Sequence, residues 1–220
     1  MKEEVLTSRQ VSFLEKVGQN RSLAENFYLT GGTALAAFYL AHRYSEDLDF
    51  FSEKEFDALP IDIFLKQIKG GLGAKKIDYQ QSFNRNLFFL EYNKKEVLKT
   101  EFTFFPFPRL EQGPAKFGLS VDSLLDIAVN KLFTIYQRSQ ARDYIDLYCI
   151  CKERRLRLDD LIKKAKLKFD WHIDPLQLGT QFTKAGEAKD FPRLIKKINH
   201  KDWQKFFVNE AKKLRNQILE

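Results

Sequence analysis

A chain of 220 residues with 44% hydrophobic content and a net charge of +7 can form one large domain or two small ones around a real core, which excludes a disordered chain. No apolar run reaches the roughly 18–20 residues of a membrane crossing, and MKEEVLTSRQ lacks the basic and apolar regions of a signal peptide, so a cytoplasmic protein with no membrane partner is expected. Residues 150–220 hold 18 Lys and Arg against 10 Asp and Glu, so the basic excess lies in the last third; it suits a polyanionic partner, nucleic acid first, or a solvated helical surface.

SRQVSFLEKVGQ is the first periodic segment, an amphipathic helix with Val11, Phe13, Leu14 and Val17 near helical spacing and Gly18 able to end it. FYLT reads as a short strand closed by Gly31 and Gly32. TALAAFYLAHR follows as a helix, with Thr33 near its start and Leu35, Phe38, Tyr39 and His42 along one side; DLDFF is then a strand. LPIDIFLKQIKGG predicts a helix with Pro60 in its first turn, and AKKIDYQQ, RNLFFLEY and EVLKTEFTFF predict two or three strands ended by Pro106 and Pro108. From SVDSLLDIAVNKLFTIYQR the pattern is helical almost to the end, with breaks at HIDPLQLG, KAGEAKDFP and INHKDW. The shift near residue 110 divides the chain into an α/β part, residues 1–110, and a helical part, residues 111–220. Short Phe-rich runs such as NLFFLEY read as core, and Cys149 and Cys151, one residue apart on a helix, as reduced buried thiols.

Side chains alternate across a strand, so Asp47 and Asp49 project from one face while Leu48 and Phe50 project from the other. Two carboxylates form half of a site for a hard divalent cation, which completes its shell with water and substrate phosphates. Glu101, with Leu98, Phe102 and Phe104 on the opposite face of its segment, can rise from a neighbouring strand beside them, or else be an exposed edge residue. Three acids together repel one another unless a cation is present, and with two Mg²⁺ ions they could align a hydroxyl and stabilise a pyrophosphate leaving group. Gly31 and Gly32 permit close backbone approach to an anion at a helix start, although neither G-x-x-x-x-G-K-[ST] nor G-x-G-x-x-G occurs. Three scattered histidines and a C-x-C pair make no zinc site, and there is no G-x-S-x-G elbow.

Taken together, GGT, a helix, HRYSEDLDFF and a later strand carboxylate resemble the nucleotidyltransferase superfamily, and LTGGTALAAFYLAHRYSEDLDFF is similar to its AbiEii/AbiGii toxin family. DIAVNKLFTIYQRSQARDYIDLYCI resembles that family's later helical motif, a lysine followed by arginine and R-D-x-x-D-L. The resemblance implies an α+β fold, a nucleotidyltransferase-like mixed β-sheet flanked by helices and followed by a helical C-terminal region. It implies transfer of an NMP from an NTP with Mg²⁺, or Mn²⁺, onto a hydroxyl of RNA, such as tRNA, or of a protein, by the toxin of an abortive-infection or toxin–antitoxin pair with a cognate antitoxin. Carried over, Gly31, Gly32 and Thr33 approach the triphosphate, Asp47 and Asp49 bind metal, and Glu101 takes the third-acid position, where Asp is frequent. Lys131 contacts phosphate or base, Arg142, Asp143 and Asp146 support that helix or the substrate, and Arg43 and Ser45 hold the aspartate strand. The bland alternatives are a solvated Lys131, an Arg142–Asp146 surface ion pair at i,i+4, a surface Asp143 and a packed His42. Two other functions compete: a catalytically weakened module that binds nucleotide or a partner, and a metal-dependent nuclease, which is disfavoured because the E-x-K at Glu187 lies far from the D-x-D.

Overall fold

The computed structural model describes residues 5–218. It divides into two compact units: one comprises the chain to Tyr39, Ser45–Pro108 and Gln112–Ser123, and the other Leu40–Tyr44, Arg109–Glu111 and the chain from Leu124.

The first unit begins with α1 (Ser8–Gln19), which is closed at its N-terminus by a reciprocal capping box between Thr7 and Gln10. Gly18 does not end this helix. A Cβ there would lie 1.7 Å from the Phe117 carbonyl oxygen, so glycine admits a neighbouring turn, and the stop comes at Asn20. Asn20 also caps α2 (Arg21–Asn26) by accepting from the Leu23 N–H at 3.1 Å. After β1 (Tyr28–Thr30), helix α3 (Gly31–Leu35) starts two residues before Thr33 and passes into a π turn, Ala36–Leu40. The π turn and Ala41, at φ 48°, end the helix short of His42 and Arg43, which therefore do not share its face.

The strand β2 (Leu48–Ser52), helix α4 (Leu59–Ile68) and strands β3 (Lys76–Ser82), β4 (Arg85–Asn93) and β5 (Glu96–Phe104) follow. Two short strands beyond residue 110, β6 (Ala115–Lys116) and β7 (Leu119–Val121), complete a seven-stranded mixed sheet in the order β3-β4-β5-β2-β1-β7-β6. Strand β2 pairs antiparallel with β1 and parallel with β5. Phe50 and Phe102 stack at 4.8 Å between ring centroids on the apolar side of those strands, with Phe13, Phe27 and Phe88 around them. Of the Phe-rich runs, Phe88 and Phe102 are core, while Phe89, Phe104, Phe105 and Phe107 are half-buried.

The second unit is helical: α5 (Leu124–Gln137), α6 (Ala141–Arg154), α7 (Leu158–Phe169), α8 (Pro175–Thr183) and α9 (His200–Ile218). HIDPLQLG breaks the helical run at His172–Asp174 and then starts α8, where Asp174 accepts from the Gln177 N–H at 2.7 Å and Pro175 fills the first helical position. Tyr144, Trp203, Phe207 and Phe182 form its aromatic core. Cys149 and Cys151 are buried thiols, each pushed up to about 12 by burial, which suppresses the reactive thiolate.

Candidate active site

The acid face lies on β2 and β5. Asp49 sits in register with Thr30 of β1 on one side and Glu101 of β5 on the other, so alternation places both acids opposite the Phe50–Phe102 stack. Gly31 has φ 75°, and a Cβ on it would fall 2.3 Å from Asp49 Oδ2. The glycine of the turn thus leaves the space in which the Asp49 carboxylate rests, and this couples GGT to D-x-D. Three successive carbonyls leading into β2 are gripped by side chains. Gln10 Nε2 donates to Ser45 O at 3.0 Å and Glu46 O at 3.2 Å, and the buried Thr33 hydroxyl donates to Asp47 O. Thr33 is therefore committed to the backbone beneath the aspartates, and Ser45 takes part through its carbonyl.

The carboxylates here meet cations of the chain itself. Lys99 Nζ lies 2.8 Å from Asp47 Oδ2. Arg85 forks onto Glu101, Nε to Oε1 at 2.7 Å and Nη2 to Oε2 at 2.5 Å, and Thr103 adds a hydroxyl to Oε1 at 2.7 Å. Burial pushes the Glu101 carboxyl up, but the bonds from Arg85 and Thr103 outweigh it and leave the group below its ordinary value. The Arg85 guanidinium is correspondingly raised, first by its bond to Glu101 and more weakly by the charges of Asp49 and Asp47. Glu101 is 5% exposed, not an edge-strand residue. Among the described residues no group of three His, Cys, Asp or Glu could hold a metal ion. Asp47 and Asp49 still fit Mg²⁺ or Mn²⁺, because such ions take one or two carboxylates and draw the remaining ligands from water and phosphate.

The later motif builds a different structure within the second unit. His42 Nε2 and Arg43 Nε reach Asp146 Oδ1 at 2.7 and 2.6 Å, and Arg43 Nη2 reaches Oδ2 at 2.7 Å. Lys131 bridges Asp146 Oδ2 at 2.7 Å and Asp143 Oδ1 at 2.8 Å. Burial drives the Asp146 carboxyl up, but Lys131 and Arg43 overcome it and hold the group well below the usual carboxylate range; Lys131 is raised by the two aspartates despite its burial. The backbone of this segment is fixed as well, through Tyr44 N to Arg193 O and Ile195 N to His42 O, both at 2.9 Å. Asp143 and Asp146 are thus interior groups, Lys131 is not a solvated lysine, and His42 is packed. Arg142 points to solvent and does not pair with Asp146, whose oxygens are taken by residues distant in sequence.

Residues 12–215 match the family described as the nucleotidyl transferase AbiEii toxin of type IV toxin–antitoxin systems. This chain belongs to that family. An uncharacterized protein of Aquifex aeolicus is 31% identical over 169 residues, covering 74% of this chain and 76% of its own length. Among solved structures, a nucleotidyltransferase described as putative from Helicobacter pylori aligns with TM-score 0.61 at 21% identity, over 98% of this chain and 99% of its own. JHP933 from Helicobacter pylori gives 0.60 at 21% identity, over 98% and 93%. MenT4, a nucleotidyltransferase toxin of Mycobacterium tuberculosis, gives 0.57 at 17% identity, over 91% and 80%.

The sequence of this AbiEii-family nucleotidyltransferase leaves three contributors to its acid face unmarked: Gln10, Arg85 and Lys99. Lys99, Glu101 and Thr103 alternate along β5, so a shared face was open to a period-two reading. Arg85 required the β4–β5 register, in which it faces Thr103 and reaches Glu101 diagonally. No helix among the described residues is long and apolar enough to cross a membrane.

Proposed function

We propose that this AbiEii-family protein transfers an NMP from an NTP to an RNA hydroxyl, with a divalent cation held by Asp47 and Asp49. The observation that carries this reading is the seat of the Asp49 carboxylate against Gly31, beside Glu101, at the start of α3. An ion bound there would offset triphosphate charge and polarise the attacked phosphoryl group. The chain's own groups do the rest. Backbone N–H groups of Gly31 and Gly32 approach the triphosphate, and Lys99, only partly buried, can exchange Asp47 for a phosphate oxygen. Thr33 and Gln10 hold the Asp47 backbone so that its carboxylate does not drift when charge arrives. The acceptor oxygen attacks the α-phosphorus, the α–β bridging bond breaks, pyrophosphate leaves, and the hydroxyl proton passes to solvent.

Lys131, Arg43, Asp143 and Asp146 serve this reading as internal supports rather than as substrate contacts. An RNA acceptor, tRNA included, is favoured over a protein one by exposed cations around the α6–α7 turn, among them Lys152, Arg154, Arg155 and Arg157. The protein would then act in the cytoplasm, with a cognate antitoxin opposing growth arrest. Incubation with labelled NTPs, Mg²⁺ and total RNA or protein tests the proposal: Asp47→Ala or Asp49→Ala should abolish labelling while the protein stays folded, and label retained in the folded double variant would sink it. The engagement of Glu101 by Arg85 favours a second reading, a weakened module of the same fold; NTP binding without transfer to any RNA or protein would select it.

A further inference from the structure

We propose that Arg85 keeps Glu101 out of the metal ligand set until a triphosphate draws the guanidinium away. The inference rests on the nucleotidyltransfer reading above and concerns how its site is armed. Glu101 is the acid that register places beside Asp49, yet both of its oxygens are occupied, by the Arg85 fork and the Thr103 hydroxyl. A carboxylate gripped on both oxygens is a poor metal ligand, and no three-acid cluster able to hold a metal occurs among the described residues.

Arg85 can let go. Its side chain is 47% exposed while that of Glu101 is 7% exposed, so a ligand can reach the guanidinium without displacing the strand that carries the acid. Arg85 stands on the first residue of β4, beside the two-residue turn at Phe83 and Asn84, and swings over the face where Asp47 and Asp49 exert charge on it. A guanidinium fork matches a phosphate as well as it matches a carboxylate. A triphosphate arriving at the aspartates therefore competes with Glu101 for Arg85. Once released, Glu101 keeps the Thr103 hydroxyl and the weaker influence of Lys99 but has lost its paired cation beside Asp49, a situation that a second cation relieves. Arg85 thus has two partners in turn: it holds Glu101 in the free protein and a phosphate once the triphosphate is bound.

Two measurements without turnover test the competition from both sides. The first is Mn²⁺ binding to nucleotide-free protein, followed by electron paramagnetic resonance. Arg85→Gln should bind Mn²⁺ about tenfold more tightly than wild type, and Arg85→Gln/Glu101→Gln should return to wild type. The second is tripolyphosphate binding in EDTA, followed by calorimetry. Glu101→Gln should bind about tenfold more tightly because Arg85 is freed, and Arg85→Gln about tenfold more weakly. Should Arg85→Gln fail to fold, Arg85→Lys, which keeps the charge and loses the fork, should show a smaller shift of the same sign. Unchanged Mn²⁺ affinity in the folded Arg85 variant, or unchanged tripolyphosphate affinity in Glu101→Gln, overturns the proposal even if wild type transfers NMP. A wild type that transfers no NMP overturns the functional reading instead, while both binding comparisons still decide the role of Arg85.

Discussion

The acid face of the sheet and the ion network of the helical unit are built from the same groups, yet they do opposite things. On the sheet, Asp47 and Lys99 are 37% and 28% exposed. In the helical unit, Asp146 and Lys131 are 0% and 11% exposed, and Arg43 is 4% exposed. Partners that share water with their surroundings can be exchanged for a ligand at little cost, whereas a buried ion pair that loses one member leaves a charge stranded in the interior. On the proposed function the difference separates a site from a fastening: the first motif leaves its groups open to a substrate, and the second uses similar groups to tie residues 42–44 to α5 and α6.

The largest expected effect lies in the fastening. Asp146→Ala takes from the buried Arg43 and Lys131 the carboxylate they share and leaves Lys131 with Asp143, so unfolding free energy in urea should fall by about 3–5 kcal/mol. Asp47→Ala should change it by less than about 1 kcal/mol while abolishing transfer. A loss below about 1 kcal/mol for Asp146→Ala would erase the distinction between the two regions. Next in size is Gly31→Ala, which strains a backbone at φ 75° and drives a Cβ onto Asp49. It should cost about 1–3 kcal/mol and weaken Mn²⁺ binding as well, because in the proposed function the displaced carboxylate is a ligand. Unaltered Mn²⁺ affinity would show that the seat against Gly31 does not position Asp49.

Much of the acid face was legible in the sequence because it depends on local periods. Alternation alone sets Asp49 opposite Phe50, and Glu101 opposite Phe102; the strand assignments around them hold in the structure. The pairing of Asp49 with Glu101 needs the parallel β2–β5 register, to which GGT and D-x-D point only through resemblance. Arg85 lay beyond reach, since an arginine at a hairpin end gives no signal until the register brings it diagonally across from Glu101. The partners in the fastening are hidden from sequence for a related reason. Spacing i,i+4 offered Arg142 as the partner of Asp146, but burial decides which face of α6 turns inward, and tertiary structure supplies Arg43 and Lys131 instead. Likewise Gly18 carries a stop signal in sequence, while its real constraint is the carbonyl of Phe117.

A smaller effect separates the regions by pH. The Asp146 carboxyl is depressed in the folded chain, so its contribution is present above the unfolded value of about 3.9 and is lost as pH falls through the folded pKa. Lys131 is raised, so its contribution is present below about 10.4 and is lost as pH rises through its folded pKa. The stability difference between wild type and Asp146→Asn should therefore be flat from about pH 5 to 9 and shrink in more acidic solution. A difference that changes steadily across neutral pH would mean that a group other than these two carries the fastening.

The smallest expected effect concerns Arg142, which stands in the same R-D-x-x-D-L stretch as the buried aspartates. Neighbours in a motif do not share an environment: Asp143 and Asp146 face inward on α6, while Arg142 faces water, with no hydrogen bond or ion pair to it among the described residues. Removing an exposed cation that grips nothing should shift stability by no more than about 0.5 kcal/mol, against the several expected for Asp146→Ala four residues on. Urea denaturation of Arg142→Ala beside Asp146→Ala measures the contrast within a single helix. A loss approaching that of Asp146→Ala would mean that Arg142 belongs to the fastening after all. A silent Arg142→Ala in stability, combined with weakened labelling of RNA, would instead assign this arginine to the basic surface, where its work is done in water.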